Sequence, residues 1–241
     1  MLFQVHALTK KFGKHIAVDH VSFDIEEGEA LGLVGESGSG KTTIGRMLLK
    51  LLPHDAGEIV YSGSAPLKKF REECQIIFQD PMASLNPRIR IGDAIGEPIH
   101  IHKLLTASKI PERVNELLES VGLKKDYATR FPHELSGGER QRVCIARALA
   151  TQPKFIVCDE PVSALDVSVQ AQILNLLIDL KERYGLTYLF ISHDLAVVSV
   201  LCDRVMVMER GKIVDTGLLP NLFLTPSKEY TRKLIDSIPA L

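Results

Sequence analysis

A glycine-rich stretch near residue 40 limits the possible folds of this chain more than any other feature of its sequence. In order, the stretch contains Gly35, Glu36, Ser37, Gly38, Ser39, Gly40, Lys41, Thr42 and Thr43. It matches the pattern G-x-x-x-x-G-K-S/T, the phosphate-binding P-loop. Its glycines have no Cβ, so backbone N–H groups can approach phosphate oxygens closely. Lys41 supplies a point charge for the terminal phosphates, and the hydroxyl of Thr42 can hold Mg²⁺.

The segments on either side of this stretch support the P-loop interpretation. Residues 30–34 form a short apolar run, which predicts a buried strand. Ile44, Met47, Leu48 and Leu51 follow at the spacing of one helix face, which predicts a helix. A strand, a glycine loop and a helix N-terminus together form an anion-binding site. We therefore favour a P-loop over the alternative, a flexible Gly/Ser turn.

Length and composition limit the class of protein. The 241 residues suit one large domain or two small ones, and the 45% hydrophobic content allows a sizeable core. The net charge of −1 gives no indication of a nucleic-acid surface. The four cysteines form no C-x-x-C pair, so we expect free thiols rather than a metal site. The sequence has no signal peptide and no apolar run of transmembrane length, so we expect any membrane span to belong to another chain.

The first half of the chain predicts strands followed by a helical insertion. Two strands are expected at 2–8 and 16–25, joined by a Lys/Gly turn that contains Phe12. An exposed ring beside a nucleotide site could stack on adenine, but the spacing alone favours a buried hydrophobic plug. A further strand is expected at 58–61. Residues 82–132 combine helical periodicity with punctuating prolines, which predicts a helical insertion without strands.

A second glycine-containing motif follows this insertion. Ser136 and Glu139 have the spacing of a capping box, which predicts the start of a helix. A capping box does not explain Gly137 and Gly138, because glycine weakens a helix. Close approach of a phosphate to bare backbone would explain both glycines.

Polar side chains follow three short apolar runs that predict parallel strands. Residues 74–78 precede Gln79, residues 155–158 precede Asp159 and Glu160, and residues 187–191 precede Ser192 and His193. Ligands of open α/β sheets bind at the carboxyl ends of strands. Asp159 would support Mg²⁺, and Glu160 would polarise an attacking water. The alternatives are an ordinary loop residue for Gln79, a charged strand end for Asp159 and Glu160, and a structural role for His193. Asp166 precedes a predicted helix at 167–183 and could be its N-cap.

The P-loop, the motif at 135–139 and the pair Asp159 and Glu160 occur in the order and spacing of ATP-binding cassette (ABC) ATPases, which the chain resembles along essentially its whole length. This resemblance implies an α/β fold: a P-loop NTPase (RecA-like) core with N-terminal antiparallel β strands and a helical signature subdomain. It implies a single nucleotide-binding domain over 1–241, with the helical subdomain inserted at 82–150. The implied cofactors are ATP and Mg²⁺.

The resemblance also implies a role for each motif residue. Catalysis would use Glu160 as the base, His193 at the γ-phosphate, and Lys41. ATP would be contacted by Phe12, by the P-loop residues from Gly35 to Thr43, by Gln79 and by Asp159. Mg²⁺ would be held by Thr42, Gln79 and Asp159. The ATP of an opposite subunit would be contacted by Ser136, Gly137, Gly138 and Asp166.

Other stretches resemble a narrower group, the ATPase subunits of peptide, opine and nickel importers. They include Gln79-Asp80-Pro81, Ser84-Leu85-Asn86-Pro87-Arg88, Ile91-Gly92-Asp93, Glu97-Pro98, His193-Asp194-Leu195, Cys202-Asp203-Arg204-Val205 and Tyr230-Thr231-Arg232. We therefore expect an ATPase that energises peptide uptake through a separate transmembrane permease. The other expected partners are a second ABC ATPase subunit, in a homodimer or heterodimer, and indirectly a substrate-binding protein, but no nucleic acid. The expected location is the cytoplasmic face of the inner membrane, as a peripheral protein. The alternatives are a nickel or metal–opine importer ATPase and, less favoured, a soluble ABC ATPase of DNA repair or translation.

Overall fold

The computed structural model describes residues 1–63 and 66–236 of the chain, and its strands form two sheets. The described strands are β1 (Phe3–Phe12), β2 (His15–Ile25), β3 (Ala30–Val34), β4 (Ala56–Tyr61), β5 (Cys74–Ile77), β6 (Phe155–Asp159), β7 (Thr187–Ser192), β8 (Arg204–Glu209) and β9 (Lys212–Leu218). A three-stranded antiparallel sheet has the order β2-β1-β4. A six-stranded sheet has the order β5-β6-β7-β3-β8-β9.

The predicted apolar runs form the middle of the six-stranded sheet. Strands β3, β6 and β7 are buried along their whole length, as expected of parallel strands that are covered on both faces. All neighbouring pairs in this sheet are parallel except β8 and β9, which form an antiparallel hairpin. The carboxyl ends of β3, β6 and β7 therefore lie at one edge of the sheet, where the P-loop begins.

The N-terminal strands are longer than the sequence predicted. Strand β1 continues to Phe12, which pairs with His15, so the turn contains only Gly13 and Lys14. The prediction that Phe12 lies in the turn was therefore wrong. Cross-strand pairing continues through polar residues that break the apolar pattern, and Lys10 within β1 is fixed by a 3.0 Å ion pair with Asp55.

The helices of the described residues are mostly short. They are α1 (Lys41–Leu48), α2 (Leu67–Glu73), α3 (Pro81–Ser84), α4 (Ile91–His102), α5 (Ile110–Ser120), α6 (Gly137–Leu149), α7 (Val167–Tyr184), α8 (Leu195–Leu201), α9 (Leu219–Leu224) and α10 (Glu229–Asp236). The placement of Leu51 on the first helix was wrong, because the chain turns at Lys50, whose φ is +55°. Helix α2 was not predicted. None of the described helices is long and apolar enough to cross a membrane.

The stretch from α3 to α6, which we call the helical segment, lies between β5 and β6. Its helices are joined by short 3-10 turns, and the described structure has no strand in it, as predicted. Pro98, one of the prolines that punctuate this stretch of sequence, lies inside α4 rather than between elements.

Alternating side chains of the six-stranded sheet enter two apolar clusters, one on each face. Leu31 and Leu33 of β3 pack in the cluster that contains α1 and the antiparallel sheet. Ala30 and Val34 of the same strand pack in the cluster that contains α6, α7, α8 and the helical segment. Both faces are covered, so the sheet edge at the carboxyl ends of the strands remains the accessible place for a ligand.

Candidate functional site

The P-loop connects β3 to α1 through a conformation that needs glycine. Gly40 has a φ of +112°, and a Cβ at this position would lie 2.2 Å from the carbonyl oxygen of Ala17. No other residue type fits there. Gly38 has a φ of +82°, and beyond its chain neighbours no described heavy atom lies within 4 Å of the position its Cβ would take. The loop therefore packs closely against Ala17 at Gly40, whereas at Gly38 it has open space for a ligand.

Lys41 is held inside the P-loop. Its ammonium group donates hydrogen bonds to the carbonyl oxygens of Gly35 (2.6 Å) and Glu36 (2.9 Å), and the residue is only 4% exposed. Burial lowers the pKa of Lys41, and nearby carboxylates oppose that shift. The Ser39 hydroxyl is also buried and has no hydrogen-bond partner among the described residues. Phosphate oxygens are acceptors for both groups, so the loop fits a nucleotide phosphate.

Thr42 and Asp159 join the start of α1 to the end of β6. Thr42 Oγ1 donates a 2.8 Å hydrogen bond to Oδ1 of Asp159. Asp159 is buried, and this burial raises the pKa of its carboxyl group, while the bond from Thr42 acts in the opposite direction. A hydroxyl and a carboxylate are the oxygen ligands that Mg²⁺ accepts. The donor set at this position therefore fits the ion.

The carboxylate of Glu160 brings two other predicted residues together. Its Oε2 accepts a 3.1 Å hydrogen bond from Gln79 Nε2 and lies 3.1 Å from Nδ1 of His193. Gln79 thus contacts the carboxylate of Glu160, whereas the prediction placed it at the ion. The φ of Glu160 is +47°, a left-handed conformation that costs about 1 kcal/mol outside glycine. Polar residues that follow β5, β6 and β7 therefore converge at one point.

A cleft of about 680 Å³ opens beside this cluster. Its lining includes Thr42, Gln79 and Asp159 at the sheet edge and Glu97, Pro98 and Arg147 on the helical segment. Arg147 at this wall of the cleft donates a 2.6 Å hydrogen bond to the carbonyl oxygen of Ser84. The cleft places the predicted ion ligands next to the helical segment.

The motif around Ser136 begins α6 as predicted. The Ser136 side chain accepts a 3.3 Å hydrogen bond from the N–H of Glu139, whose carboxylate accepts one from the N–H of Ser136 at 2.7 Å. A Cβ on Gly138 would lie 2.6 Å from Cγ1 of Val169 on α7. Close packing of α6 on α7 is therefore a sufficient reason for this glycine, which the sequence did not reveal.

Asp166 caps α7, as predicted, by accepting a 2.9 Å hydrogen bond from the N–H of Val169. Asp166 and the Ser136 motif thus lie at the adjoining starts of α7 and α6. Among the described residues, no hydrogen bond or ion pair connects either of them to the P-loop. The structure therefore groups the predicted residues in two separate sets.

Phe12 is not the buried plug that the spacing favoured. It is 50% exposed, and the Lys10 ammonium lies 5.6 Å from its ring centroid. The ring is therefore available to a planar ligand.

Two tyrosines that touch the predicted motifs had not been assigned a function. Tyr127 Oη donates a 2.5 Å hydrogen bond to Glu139 Oε1, and Tyr230 Oη accepts a 3.0 Å bond from the N–H of Glu36. The second contact spans 194 positions of sequence, so no local pattern indicates it.

Comparison with known proteins identifies the family of this chain. Residues 18–163 match the family described as ABC transporter. The chain is 52% identical over 231 residues to the oligopeptide transport ATP-binding protein OppF of Streptococcus mutans. The aligned region covers 92% of this chain and 75% of that protein. It is 54% identical over 231 residues to a putative peptide import ATP-binding protein of Brucella abortus, with 92% and 69% covered. It is 53% identical over 230 residues to the glutathione import ATP-binding protein GsiA of Escherichia coli, but spans only 37% of that protein.

Solved structures have the same fold. The ATP-binding cassette MJ0796, solved as a dimer in a post-hydrolysis state with ADP and Pi, matches with a TM-score of 0.79 and 29% identity, covering 90% of this chain and 99% of that one. The cbiO1 protein of Clostridium perfringens, part of the transporter complex cbiONQ, matches with a TM-score of 0.82 and 27% identity, covering 99% and 96%. With the family match and the geometry of the P-loop, these likenesses establish that the chain belongs to the ABC transporter family, as an ATP-binding and ATP-hydrolysing member.

Proposed function

We propose that this chain is the ATPase subunit of an importer for peptides or a related small ligand. The relatives at 52–54% identity that carry a peptide import name support this substrate class, because the chain covers 75% and 69% of their lengths. The whole chain, residues 1–241, acts as one nucleotide-binding domain, with the helical subdomain at 82–150 inserted in it. The transported ligand is selected by the permease and by a substrate-binding protein with which this chain is only indirectly associated.

The arrangement around Glu160 carries the proposal for catalysis. Glu160 is the general base that takes the proton of the attacking water, because its carboxylate lies at the sheet edge, contacts Gln79 and His193, and acts electrostatically on Lys41 of the P-loop. Gln79 and His193 orient this carboxylate, and His193 also contacts the terminal phosphate. Phe12 stacks on the base of the nucleotide, and P-loop N–H groups and Lys41 hold the phosphates.

Thr42, Asp159 and Gln79 would hold Mg²⁺. When bound, the ion would supply positive charge that offsets the charge on the phosphates. The short hydrogen bond between Thr42 and Asp159 supports this assignment, because it places two oxygen ligands side by side.

The Ser136 motif and Asp166 serve the nucleotide of a second ABC ATPase subunit. Ser136 and Asp166 are exposed, and Val167 beside them is an apolar side chain that is 82% exposed. A dimeric relative, MJ0796, supports an assembly of two cassettes. The partner is either a second copy of this chain or a related subunit.

The cleft beside Gln79 receives the permease. It opens between the catalytic cluster and the helical segment, so a segment seated there would move with both. The protein lies at the cytoplasmic face of the membrane, held there by the permease. Closure of two cassettes over ATP and their release after hydrolysis would thereby move the permease.

The proposal is tested by peptide uptake in cells of the source organism that lack this chain. Radiolabelled trialanine uptake is expected to fall and to return with the wild-type chain, but not with Glu160→Gln. Glu182→Gln, on the exposed side of α7, is the matched control and is expected to restore uptake fully. Uptake of labelled nickel but not of trialanine would overturn the peptide assignment, and normal uptake of both would overturn the importer assignment.

A further inference from the structure

The C-terminal helix α10 reaches the P-loop through one side chain. The Oη atom of Tyr230, in the first turn of α10, accepts a 3.0 Å hydrogen bond from the N–H of Glu36. Glu36 follows the first glycine of the P-loop, in the stretch that is predicted to contact ATP. The contact thus fixes a main-chain group that lies next to the phosphate site.

Helix α10 is itself firmly attached to the six-stranded sheet. Thr231, next to Tyr230, is completely buried, and its hydroxyl donates a 2.9 Å hydrogen bond to Oδ2 of Asp215. The same carboxylate oxygen accepts a 3.2 Å bond from the N–H of Ser227, just before the helix. Asp215 therefore holds the start of α10 from two directions.

The attachment point lies in register with the strand that leads into the P-loop. Asp215 of β9 pairs with Val207 of β8, and Val207 pairs with Val34, the last residue of β3. The P-loop begins at the next residue, Gly35. The hydrogen bonds from α10 to Asp215 and from Glu36 to Tyr230 therefore connect the P-loop to the part of the sheet that pairs with the end of β3.

The segment that Tyr230 holds also positions Lys41, to which we assign binding of the phosphates. The carbonyl oxygen of Glu36 accepts a 2.9 Å hydrogen bond from Nζ of Lys41, and its N–H is bonded to Tyr230. Both polar main-chain groups of Glu36 are therefore engaged. Movement of Glu36 would move the acceptor that positions the Lys41 ammonium.

We propose that Tyr230 is a positioning residue for nucleotide binding: its hydroxyl, braced by Thr231 and Asp215, sets the position of Glu36 and thereby of Lys41. The inference rests on the proposed ATP site at the P-loop and adds a contribution from the C-terminal helix to it. Because Tyr230 acts through Glu36 on Lys41, to which we assign binding of the phosphates, its loss affects binding of ATP rather than the hydrolytic step.

The test compares Tyr230→Phe with the wild-type full-length chain in an ATPase assay. One neutral hydrogen bond has a modest net value, so we expect the KM for ATP to rise about two- to tenfold with kcat nearly unchanged. Tyr184→Phe is the matched control, because it removes a hydroxyl from an exposed tyrosine at the end of α7 that lies near Pro153, which precedes the amino end of β6, and that has no hydrogen bond to the P-loop among the described residues. An unchanged KM in Tyr230→Phe, or an equal rise in Tyr184→Phe, would overturn the proposal.

A second variant tests whether the hydrogen bond between Thr231 and Asp215 positions Tyr230, and it distinguishes this role from a purely structural one. Thr231→Val removes the hydroxyl that bonds Asp215 while keeping the side-chain volume, and we expect the same pattern of raised KM. If both residues act through Glu36, the double variant is expected to raise KM no further than the larger single effect. Additive effects, or a lower Tm with an unchanged KM, would overturn it. Equilibrium binding of a fluorescent ATP analogue compares the affinities of the same variants without turnover. If the wild type bound the analogue but did not hydrolyse ATP, the proposed function would be contradicted, whereas the inference about Tyr230 could still be tested by binding.

Discussion

Thr42 Oγ1 and Asp159 Oδ1 lie 2.8 Å apart although 117 positions of sequence separate the two residues. The bond links the first turn of α1 to the end of the buried strand β6. It brings a hydroxyl and a carboxylate to the place where the proposed Mg²⁺ ion would need both. This relationship leads to the first prediction.

Thr42→Ala is expected to raise the Mg²⁺ concentration needed for half-maximal ATPase activity by about tenfold or more, because one oxygen ligand of the ion is lost. Thr42→Ser keeps the hydroxyl and is expected to remain within about threefold of the wild type. A Mg²⁺ titration of ATPase activity at saturating ATP checks both variants. The same Mg²⁺ requirement in all three proteins would contradict the assignment of Thr42.

Phe12→Ala is expected to raise the KM for ATP about five- to tenfold, because stacking of a base on an aromatic ring is lost. The Tm is expected to change little, since the ring is half exposed in the absence of a ligand. Every base has a stacking face, so the KM for GTP is expected to rise in parallel. Phe12→Tyr provides the control and is expected to behave as the wild type. A large fall in the Tm of Phe12→Ala without a change in its KM for ATP would show that Phe12 has a structural role instead.

Gly138→Ala separates the two reasons for a glycine at the start of α6. The new Cβ would lie 2.6 Å from Val169, so we expect a loss of stability of about 1–3 kcal/mol from overpacking. Val169→Ala in the same chain makes room and is expected to restore the Tm. If the glycine also allows approach of the second subunit's ATP, hydrolysis stays low in the double variant. Full recovery of hydrolysis together with the Tm would show that Gly138 serves packing only.

Glu139 gives the fold a small and specific pH dependence. Hydrogen bonds from Tyr127 and then from Ser136 lower its pKa below the usual 4.5. A carboxylate with a lowered pKa stabilises the folded state above its unfolded-state pKa, and that stabilisation is lost as the pH falls through its folded-state pKa. The Tm difference between wild type and Glu139→Gln, about 1–3 °C at pH 7 by the usual relation of Tm to free energy, is therefore expected to shrink below pH 4.5. A difference that stays constant from pH 7 to pH 3 would contradict this.

Local sequence patterns predicted the elements whose causes are local. The apolar run before the P-loop is β3, Asp166 caps α7, and the capping box begins α6. Gln79, Glu160 and His193 were each predicted from the end of an apolar run, and the parallel arrangement of those runs brings them together.

Several features that the sequence did not reveal depend on contacts between separate elements. Strand β1 extends to Phe12 because pairing with β2 outweighs the polar pattern of its residues. The bond from Tyr127 to Glu139 and the bond from Glu36 to Tyr230 depend on how distant elements pack. Packing of Val169 against Gly138 likewise depends on contact between α6 and α7. Such contacts have no signature in spacing or composition.

Our central claim is that the P-loop of one subunit and the Ser136 motif of a second subunit bind the same ATP. Its most direct test is the mass of the Glu160→Gln protein in solution, with and without Mg²⁺ and ATP. Removal of the base is expected to slow turnover about 100-fold or more while ATP binding persists, so the closed assembly accumulates. We predict a single chain without ATP and twice that mass with it, and a return to single chains when Ser136→Tyr blocks the start of α6. A mass that stays at one chain while ATP is bound would contradict closure between two copies and would assign the second half of the site to a different subunit.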